Sequence, residues 1–401
     1  MGCRTRVGTR GRRERAGETG GAGMRALILS CSIGGGHDAC ARAVSDELTA
    51  RGSECVTRDA LRFVFRGLPS MFSRSHVWVY RHTPAVFGKV YRFGETHPAS
   101  FREGTTFRRL FGRGTRKLKK YLLEGEFDTV ICTHVFPAMM VSDALRDFPE
   151  GAKKPETCFI ATDYTGSPGM AESDLDYYFI PDRSLAHCFT VGDIPADRMR
   201  PSGIPVRRAF YRRVPTDVAK ERAGLPPDCR HMVMMCGSMG CGPMYGLTRL
   251  LAGELAENEL LTVVCGTNKQ LYRRLTRACG TFARVRILSY VKDVSALLDS
   301  ADLYLTKPGG ISVTEAAEKR LPMILIDTVA GCEDYNLQFF VNLGAAKTAE
   351  SEKAIAALCL DTLRSDTALH EMSSAYDRRE AANGARYICD ILDPPQMAEN
   401  E

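Results

Sequence analysis

The chain has 401 residues, 25% of them charged and 44% hydrophobic, with a formal net charge of +6. That composition excludes a disordered, collagen-like or disulfide-scaffold protein, and no apolar run reaches the roughly 18 to 20 residues that cross a bilayer as a helix. At roughly 100 to 200 residues per domain, the length suits two domains. The charge is unevenly spread. Residues 1–23 carry six Arg against two Glu, or +4, and residues 62–120 carry fourteen Lys and Arg against Glu95 and Glu103, or +12, which leaves the rest of the chain at −10. Fifteen cysteines, an odd number and nowhere spaced C-x-x-C, suggest neither a zinc site nor a redox pair and suit a reduced, cytosolic protein.

Taken in chain order, the Gly/Arg-rich residues 1–23 are expected to form a disordered basic tail, with Met24 as an alternative start. The apolar stretch Ala26 to Leu29 is too short for the core of a signal peptide. Ala26 to Ser30 predicts a strand, followed by the glycine loop Gly34-Gly35-Gly36-His37 and a helix from Ala39 to Leu48. Glycines at a strand-to-helix turn let backbone N–H groups approach a ligand, and His37 has the chemistry of a general base near neutral pH. The same residues also suit a plain βα turn capped by His37. G-x-G-x-x-G is incomplete, because position 39 is Ala.

The basic segment then interleaves Arg62, Arg66, Arg74, Arg81, Lys89, Arg92 and Arg102 with Phe63, Phe72, Trp78, Tyr80 and further aromatics. Cations among aromatics suit nucleic acid, the surface of an anionic membrane, or a solvated helical face. Strands are predicted at Thr129 to Thr133, Cys158 to Thr162 and Tyr177 to Ile180. Thr162-Asp163-Tyr164 sits at the end of one of them, where Asp163 suits a base, an acceptor contact or a structural turn. Asp174-Leu175-Asp176 lacks the context of a metal-binding D-x-D motif. A Pro-rich basic stretch from Pro201 to Pro227 separates two halves.

The second half opens on the strand Met232 to Met235 and a glycine loop containing Gly237, Ser238, Gly240 and Gly242. Such a loop before a helix suits a diphosphate, although the Gly-Lys-Ser/Thr ending of a Walker loop is missing. Further strands are predicted at Thr262 to Cys265, Val285 to Leu288, Leu303 to Thr306 and Met323 to Asp327. After the third of these come Lys307, Gly309 and Gly310, then a helix bearing Ser312 and Glu315. A carboxylate one turn into that helix suits vicinal ribose hydroxyls, or simply the helix dipole. After the fourth strand, Glu333 and Asn336 lie in a polar loop able to read sugar hydroxyls or to cap a helix. Alternating strands and helices predict an α/β protein with two Rossmann-like domains and ligand in the cleft between parallel sheets.

These elements in order, G-G-G-H at 34–37, T-H-V-F-P at 133–137, T-D-Y at 162–164, G-S-M-G-C-G-P-M at 237–244, S-Y-V-K-D at 289–293, K-P-G-G-I-S-V-T-E-A at 307–316 and A-G-C-E-D-Y-N at 330–336, resemble one known family. It is that of the monogalactosyldiacylglycerol synthases and processive diacylglycerol glucosyltransferases. The resemblance spans about residues 24–346 and implies a GT-B fold and an inverting transfer from a UDP-sugar that needs no metal or other cofactor. By position it implies that the backbone near Val291 reads uracil and Glu315 holds the ribose. Gly237, Gly240 and Gly242, with Gly309 and Gly310, would accommodate the diphosphate with Lys307 as its charge partner, Ser238 and Ser312 would belong to the UDP-sugar site, and Glu333 and Asn336 would contact the donor sugar. His37 and Asp163 would flank the reacting centre. Gly35 and Gly36 would lie on the acceptor side with Arg62, Phe63, Arg66, Phe72, Arg74, Trp78, Tyr80 and Arg81, which favours a lipid surface over nucleic acid for the basic segment. The pattern departs from the family at Cys332, where Gln is common, and at Met170, where an acceptor-side aromatic is common.

The expected partners are therefore a UDP-sugar, diacylglycerol or a related lipid, and an anionic membrane surface, with no nucleic acid. The expected location is the cytoplasm, peripherally on the membrane's cytoplasmic face. The expected divisions are a tail at 1–23, an acceptor domain at 24–205, a nucleotide domain at 206–385 and a tail at 386–401. Transfer of N-acetylglucosamine to another lipid-linked acceptor and UDP-sugar 2-epimerisation are the competing reactions; a non-catalytic UDP-sugar or nucleic-acid binding module is the third alternative.

Overall fold

A computed structural model of the chain describes residues 23–31, 35–67, 89, 92–94, 96–102, 104–190, 194–328, 331–380 and 383–394. The first sheet holds β1 (Arg25–Ser30), β2 (Glu54–Asp59), β3 (Thr129–Cys132), β4 (Glu156–Ile160), β5 (Tyr177–Ile180) and β6 (Met199–Pro201), in the order β2-β1-β3-β4-β5-β6. The second holds β7 (Arg230–Met235), β8 (Glu259–Val264), β9 (Val285–Leu288), β10 (Leu303–Thr306), β11 (Met323–Leu325) and β12 (Ala346–Lys347), in the order β12-β11-β10-β7-β8-β9. Every pairing is parallel. Inner strands such as Ala26 to Leu29 and Met232 to Met234 are buried on both faces, which is why they read as continuous apolar runs.

In each sheet the chain reverses its direction of travel at one place, between β1 and β3 in the first and between β7 and β10 in the second. A crevice opens beyond the carboxyl ends of the strands at such a switch point, because the following connections depart to opposite faces. The motifs lie there. Gly35 and Gly36 open helix α1 (Gly35–Ala50) after β1, and His134 caps α3 (Val135–Arg146) after β3. In the second sheet, residues 237–242 lead from β7 to α4 (Met244–Ala252), and Gly309 caps α5 (Gly310–Glu318) after β10. Helix α6 (Cys332–Leu343) follows β11. Helix α2 (Thr106–Gly125) packs its apolar side, including Phe111, Leu118 and Leu122, into the first domain's core.

A side chain from the first domain and the end of the chain both tie the two sheets together. Tyr164, from the loop after β4, is buried in the second domain's core, with its ring 4.4 Å from that of Phe339 and 4.8 Å from that of Phe340, and its hydroxyl 3.0 Å from Thr314 Oγ1. The chain end also crosses back. Helix α7 (Gly384–Leu392) sets Ile388, Cys389 and Leu392 among Ala26, Ile28, Val44 and Phe179, and Asp390 pairs with Arg51 at 2.8 Å. Residues 386–392, expected to begin a tail, are thus part of the first domain's core, since three apolar side chains at helical spacing find their burial there. Among the described residues all fourteen cysteines are free, and no helix is long and apolar enough to cross a membrane.

Candidate functional site

The first-domain loops bring His37 against the end of β3. Its Nδ1 lies 2.8 Å from the Thr133 carbonyl oxygen and 3.1 Å from Thr162 Oγ1. A carbonyl accepts only, so Nδ1 carries the proton and Nε2 the lone pair, the tautomer a general base requires. His134 packs edge-on against this ring at 4.6 Å, and its Nδ1 accepts from the Phe136 N–H at 3.1 Å. Burial and the neighbouring His37 hold the His134 imidazole well below its ordinary range, so its ring is neutral near pH 7. Nothing in the sequence reading singled out His134 beyond its motif; its contact with His37 exists only in space.

Asp163 lies beside them, half-buried. Its Oδ1 accepts from Asn336 Nδ2 at 2.7 Å, and burial pushes its carboxyl up to about 6, opposed by the Asn336 bond and aided by the nearby Glu333. The Asp174-Leu175-Asp176 carboxylates are spent on structure: Asp176 accepts from the Thr157 N–H and hydroxyl at 2.9 and 2.8 Å, and Asp174 pairs with Arg198 at 2.5 Å. Among the described residues no group of three or more His, Cys, Asp or Glu is placed to hold a metal ion.

The second-domain loops face this cluster closely. A β-carbon at Gly35 would lie 3.8 Å from Ser238 Oγ, one at Gly36 would lie 3.4 Å from Ile311, and one at Gly310 would lie 1.9 Å from the Thr162 carbonyl oxygen. The glycines have different reasons to be glycine. Gly237, Gly240 and Gly242 have φ of +65°, +56° and +90°, which side chains rarely adopt. Gly310 is required by the close approach of Thr162. Gly309 has φ −71° and open space around its missing side chain, so neither backbone nor packing demands glycine there; that leaves room for a ligand.

Glu315 is buried and 3.8 Å from Arg207 Nη2, whose guanidinium stacks 5.0 Å from the Phe210 ring. Burial pushes its carboxyl up to about 7, partly offset by Arg207. Ser312 and Val291 are half-buried nearby in chain and fold, in the first turn of α5 and just beyond β9. Lys307 is buried with Nζ 3.2 Å from Asp327 and 3.8 Å from Glu333, so it enters the site already shared by two carboxylates.

Asn336 links the two domains. It is wholly buried, and its amide is committed: Oδ1 accepts from the Tyr164 N–H at 2.6 Å, while Nδ2 donates to Asp163 and to the Pro308 carbonyl at 2.8 Å.

On the basic side, Arg62 and Arg66 are exposed and Phe63 half-buried; with Arg58, Asp59 and Tyr121 they line a cavity of about 450 Å³. Phe72, Arg74, Trp78, Tyr80 and Arg81 lie outside the described residues, as does Gly34. Within the same basic segment, α2 exposes Arg109, Arg113, Arg116, Lys117 and Lys120.

Comparison with known proteins places these halves in context. Residues 37–206 match the monogalactosyldiacylglycerol (MGDG) synthase family, and residues 247–379 match the glycosyl transferases group 1 family. The chain is 24% identical to a processive diacylglycerol beta-glucosyltransferase of Staphylococcus saprophyticus over 91% of each protein. It is 25% identical to one of Bacillus subtilis over 93% of this chain and 96% of that one. Among solved structures it resembles MurG of Acinetobacter baumannii (TM-score 0.62, 14% identity, 92% of this chain and 99% of the other). It also resembles the UDP-GlcNAc 2-epimerase of Neisseria meningitidis (TM-score 0.54, 13% identity, 92% and 99%). Transferases and epimerases thus share this fold, and at such identities the likeness speaks for the fold alone.

Proposed function

We propose that this chain, which belongs to the family of monogalactosyldiacylglycerol synthases and processive diacylglycerol glucosyltransferases and has their GT-B fold, moves a hexose from UDP-glucose or UDP-galactose to diacylglycerol at a membrane surface. One observation carries the reading: His37 and Asp163 from the first sheet meet the loops 237–242 and 307–310 of the second in one crevice. The relatives named for diacylglycerol glucosyl transfer span more than nine-tenths of the chain.

In a single displacement, the acceptor hydroxyl loses its proton to His37 Nε2 while its oxygen bonds to the anomeric carbon from the face opposite UDP. The bond from that carbon to the diphosphate oxygen breaks, and the electron pair leaves with UDP. The negative charge developing on the diphosphate is met by backbone N–H groups of loop 237–242, by the amino end of α5 and by Lys307, with no divalent metal. Glu315 accepts from the ribose hydroxyls, and Val291 marks the uracil end. Glu333, beside Lys307, faces the donor sugar. The basic segment of the sequence, with Arg62, Arg66, Arg74 and Arg81, holds the protein to an anionic bilayer on its cytoplasmic face, where the acceptor lies.

Purified protein given labelled UDP-glucose, UDP-galactose or UDP-N-acetylglucosamine with diacylglycerol vesicles is expected to yield labelled glycolipid from a hexose donor. No lipid product from any donor would sink the reading. Replacing Arg62, Arg66, Arg74 and Arg81 together by Gln should weaken sedimentation with anionic vesicles more than tenfold, at roughly 1 kcal/mol per basic residue near the surface. Unchanged sedimentation would remove these arginines from the membrane contact.

A further inference from the structure

The carboxylate of the acceptor side belongs to the first domain, but what holds it belongs to the second. Asn336 projects from α6 and reaches across the seam. Its amide cannot be turned around, because Oδ1 meets an N–H from Tyr164 and Nδ2 lies between a carboxylate and the Pro308 carbonyl, neither of which donates. The seam is also too tight to slide: Gly310 abuts Thr162 without space for a methyl group, and Tyr164 is anchored between Phe339 and Thr314. Thr162, one residue before Asp163, lies against His37. The Asp163 carboxylate therefore takes its position and orientation from a buried amide of the other domain.

We propose that Asn336 is a positioning residue of the reaction centre: from the nucleotide domain it orients the Asp163 carboxylate and keeps it in its charged form, so that the acceptor side is complete only when the two domains are joined. This rests on the transferase reading above and replaces the expected sugar contact. A hydrogen bond donated by an amide favours the ionised carboxylate, and the other groups around Asp163 pull in both directions. Glu333, from the first turn of α6, disfavours the charge, with Lys307 3.8 Å behind it; the Cys332 thiol and the Gly310 N–H favour it. His37 stands on the far side of Thr162. Asn336 is the charged form's largest support among these.

The test is Asn336→Ala in the full chain. UDP binding, followed by calorimetry, should fall several-fold less than kcat, because on the nucleotide side Asn336 bonds the Pro308 carbonyl and not Glu315 or the loop 237–242. At pH 7, kcat should fall about 10- to 100-fold, the scale of a lost charge-assisted hydrogen bond, with KM for the UDP-sugar little changed. The acid limb of the kcat profile should move to higher pH by roughly one unit, so that raising the pH to about 8.5 restores part of the rate. A purely structural Asn336 would lower Tm and rate alike without moving the limb, and a sugar contact would raise KM. Either result overturns the proposal. If Asn336→Ala does not fold, Asn336→Asp, nearly the same size, is used; it should show a still higher acid limb, because two carboxyls then face each other. Titration of the Asp163 carboxyl carbon by 13C NMR, in parent and variant, reads the same support without any turnover. An upward shift there in a parent that forms no glycolipid would refute the transferase reading while sustaining the positioning role; no shift would refute the latter.

Discussion

Gly310→Ala should lose most activity and a few degrees of thermal stability, whereas Gly309→Ala should keep its Tm and lose affinity for the donor. The two glycines are neighbours at the start of the same helix, yet their surroundings are opposite. A methyl group at 310 would lie 1.9 Å from a backbone oxygen of the other domain and 3.0 Å from Asp163 Oδ1, so either the domains part or α5 shifts. Overpacking of this kind costs about 1 to 3 kcal/mol, or roughly 1 to 4 °C in Tm for a chain of this size. A displacement of about 1 Å between Asp163 and a bound donor is enough to cost about 100-fold in kcat. At 309 nothing lies within reach of the added methyl, so calorimetric Tm should change by no more than about 1 °C. The methyl would instead stand where a diphosphate approaches the helix end, and UDP affinity should fall about tenfold. A Gly310→Ala protein as stable and active as its parent would mean that the seam does not close in solution as described.

Glu315→Gln should bind UDP about 10- to 100-fold more weakly at pH 8 and, at the same pH, be more stable than its parent. The carboxyl has an ordinary value near 4.5 and is raised to about 7 by burial. Below about 4.5 the group is protonated in both folded and unfolded chains. Between 4.5 and 7 the folded chain keeps a proton that the unfolded chain gives up, so the group's contribution to stability declines as pH rises through that window and is lost above 7. Gln removes the decline, a gain of up to about 3 kcal/mol at pH 8 from a shift of this size. Binding follows the opposite sign. Only the carboxylate accepts from both ribose hydroxyls, so parental affinity should rise from pH 6 to pH 8 while that of Glu315→Gln stays flatter. Stability held back by a group that function needs is the mark of a binding site. A variant with parental affinity at pH 8 would rule out the ribose contact.

How much of this was legible beforehand depended on where each residue sits in a sheet. Strands β7 and β10 and the middle of β1 are inner strands covered on both faces, and their unbroken apolar runs announced them. The sequence reading passed over β2, β6 and β12. All three are edge strands, with sequences Glu54-Cys55-Val56-Thr57-Arg58-Asp59, Met199-Arg200-Pro201 and Ala346-Lys347, and an edge strand has one neighbour and a solvated side, so it needs no apolar run. The glycine loops were visible because a turn from strand to helix under a ligand tolerates few other residues. Why each glycine was needed was not, since Gly309 and Gly310 look alike in sequence and differ only in what stands opposite them.

By itself, then, the sequence determined two parallel α/β domains, the ordered set of motifs at their strand ends and the concentration of positive charge in 62–120. These are local properties: burial on two faces, turn conformation and composition are written residue by residue. Tertiary structure decided which partners those residues meet. It set His134 against His37, returned 384–392 to the first domain, raised Glu315 and Asp163 by burying them, and joined Asn336 to Asp163 and Tyr164 across the domains. Asn336 and Asp163 lie 173 positions apart, and no local pattern encodes the distance between two atoms that only the closed fold brings to 2.7 Å.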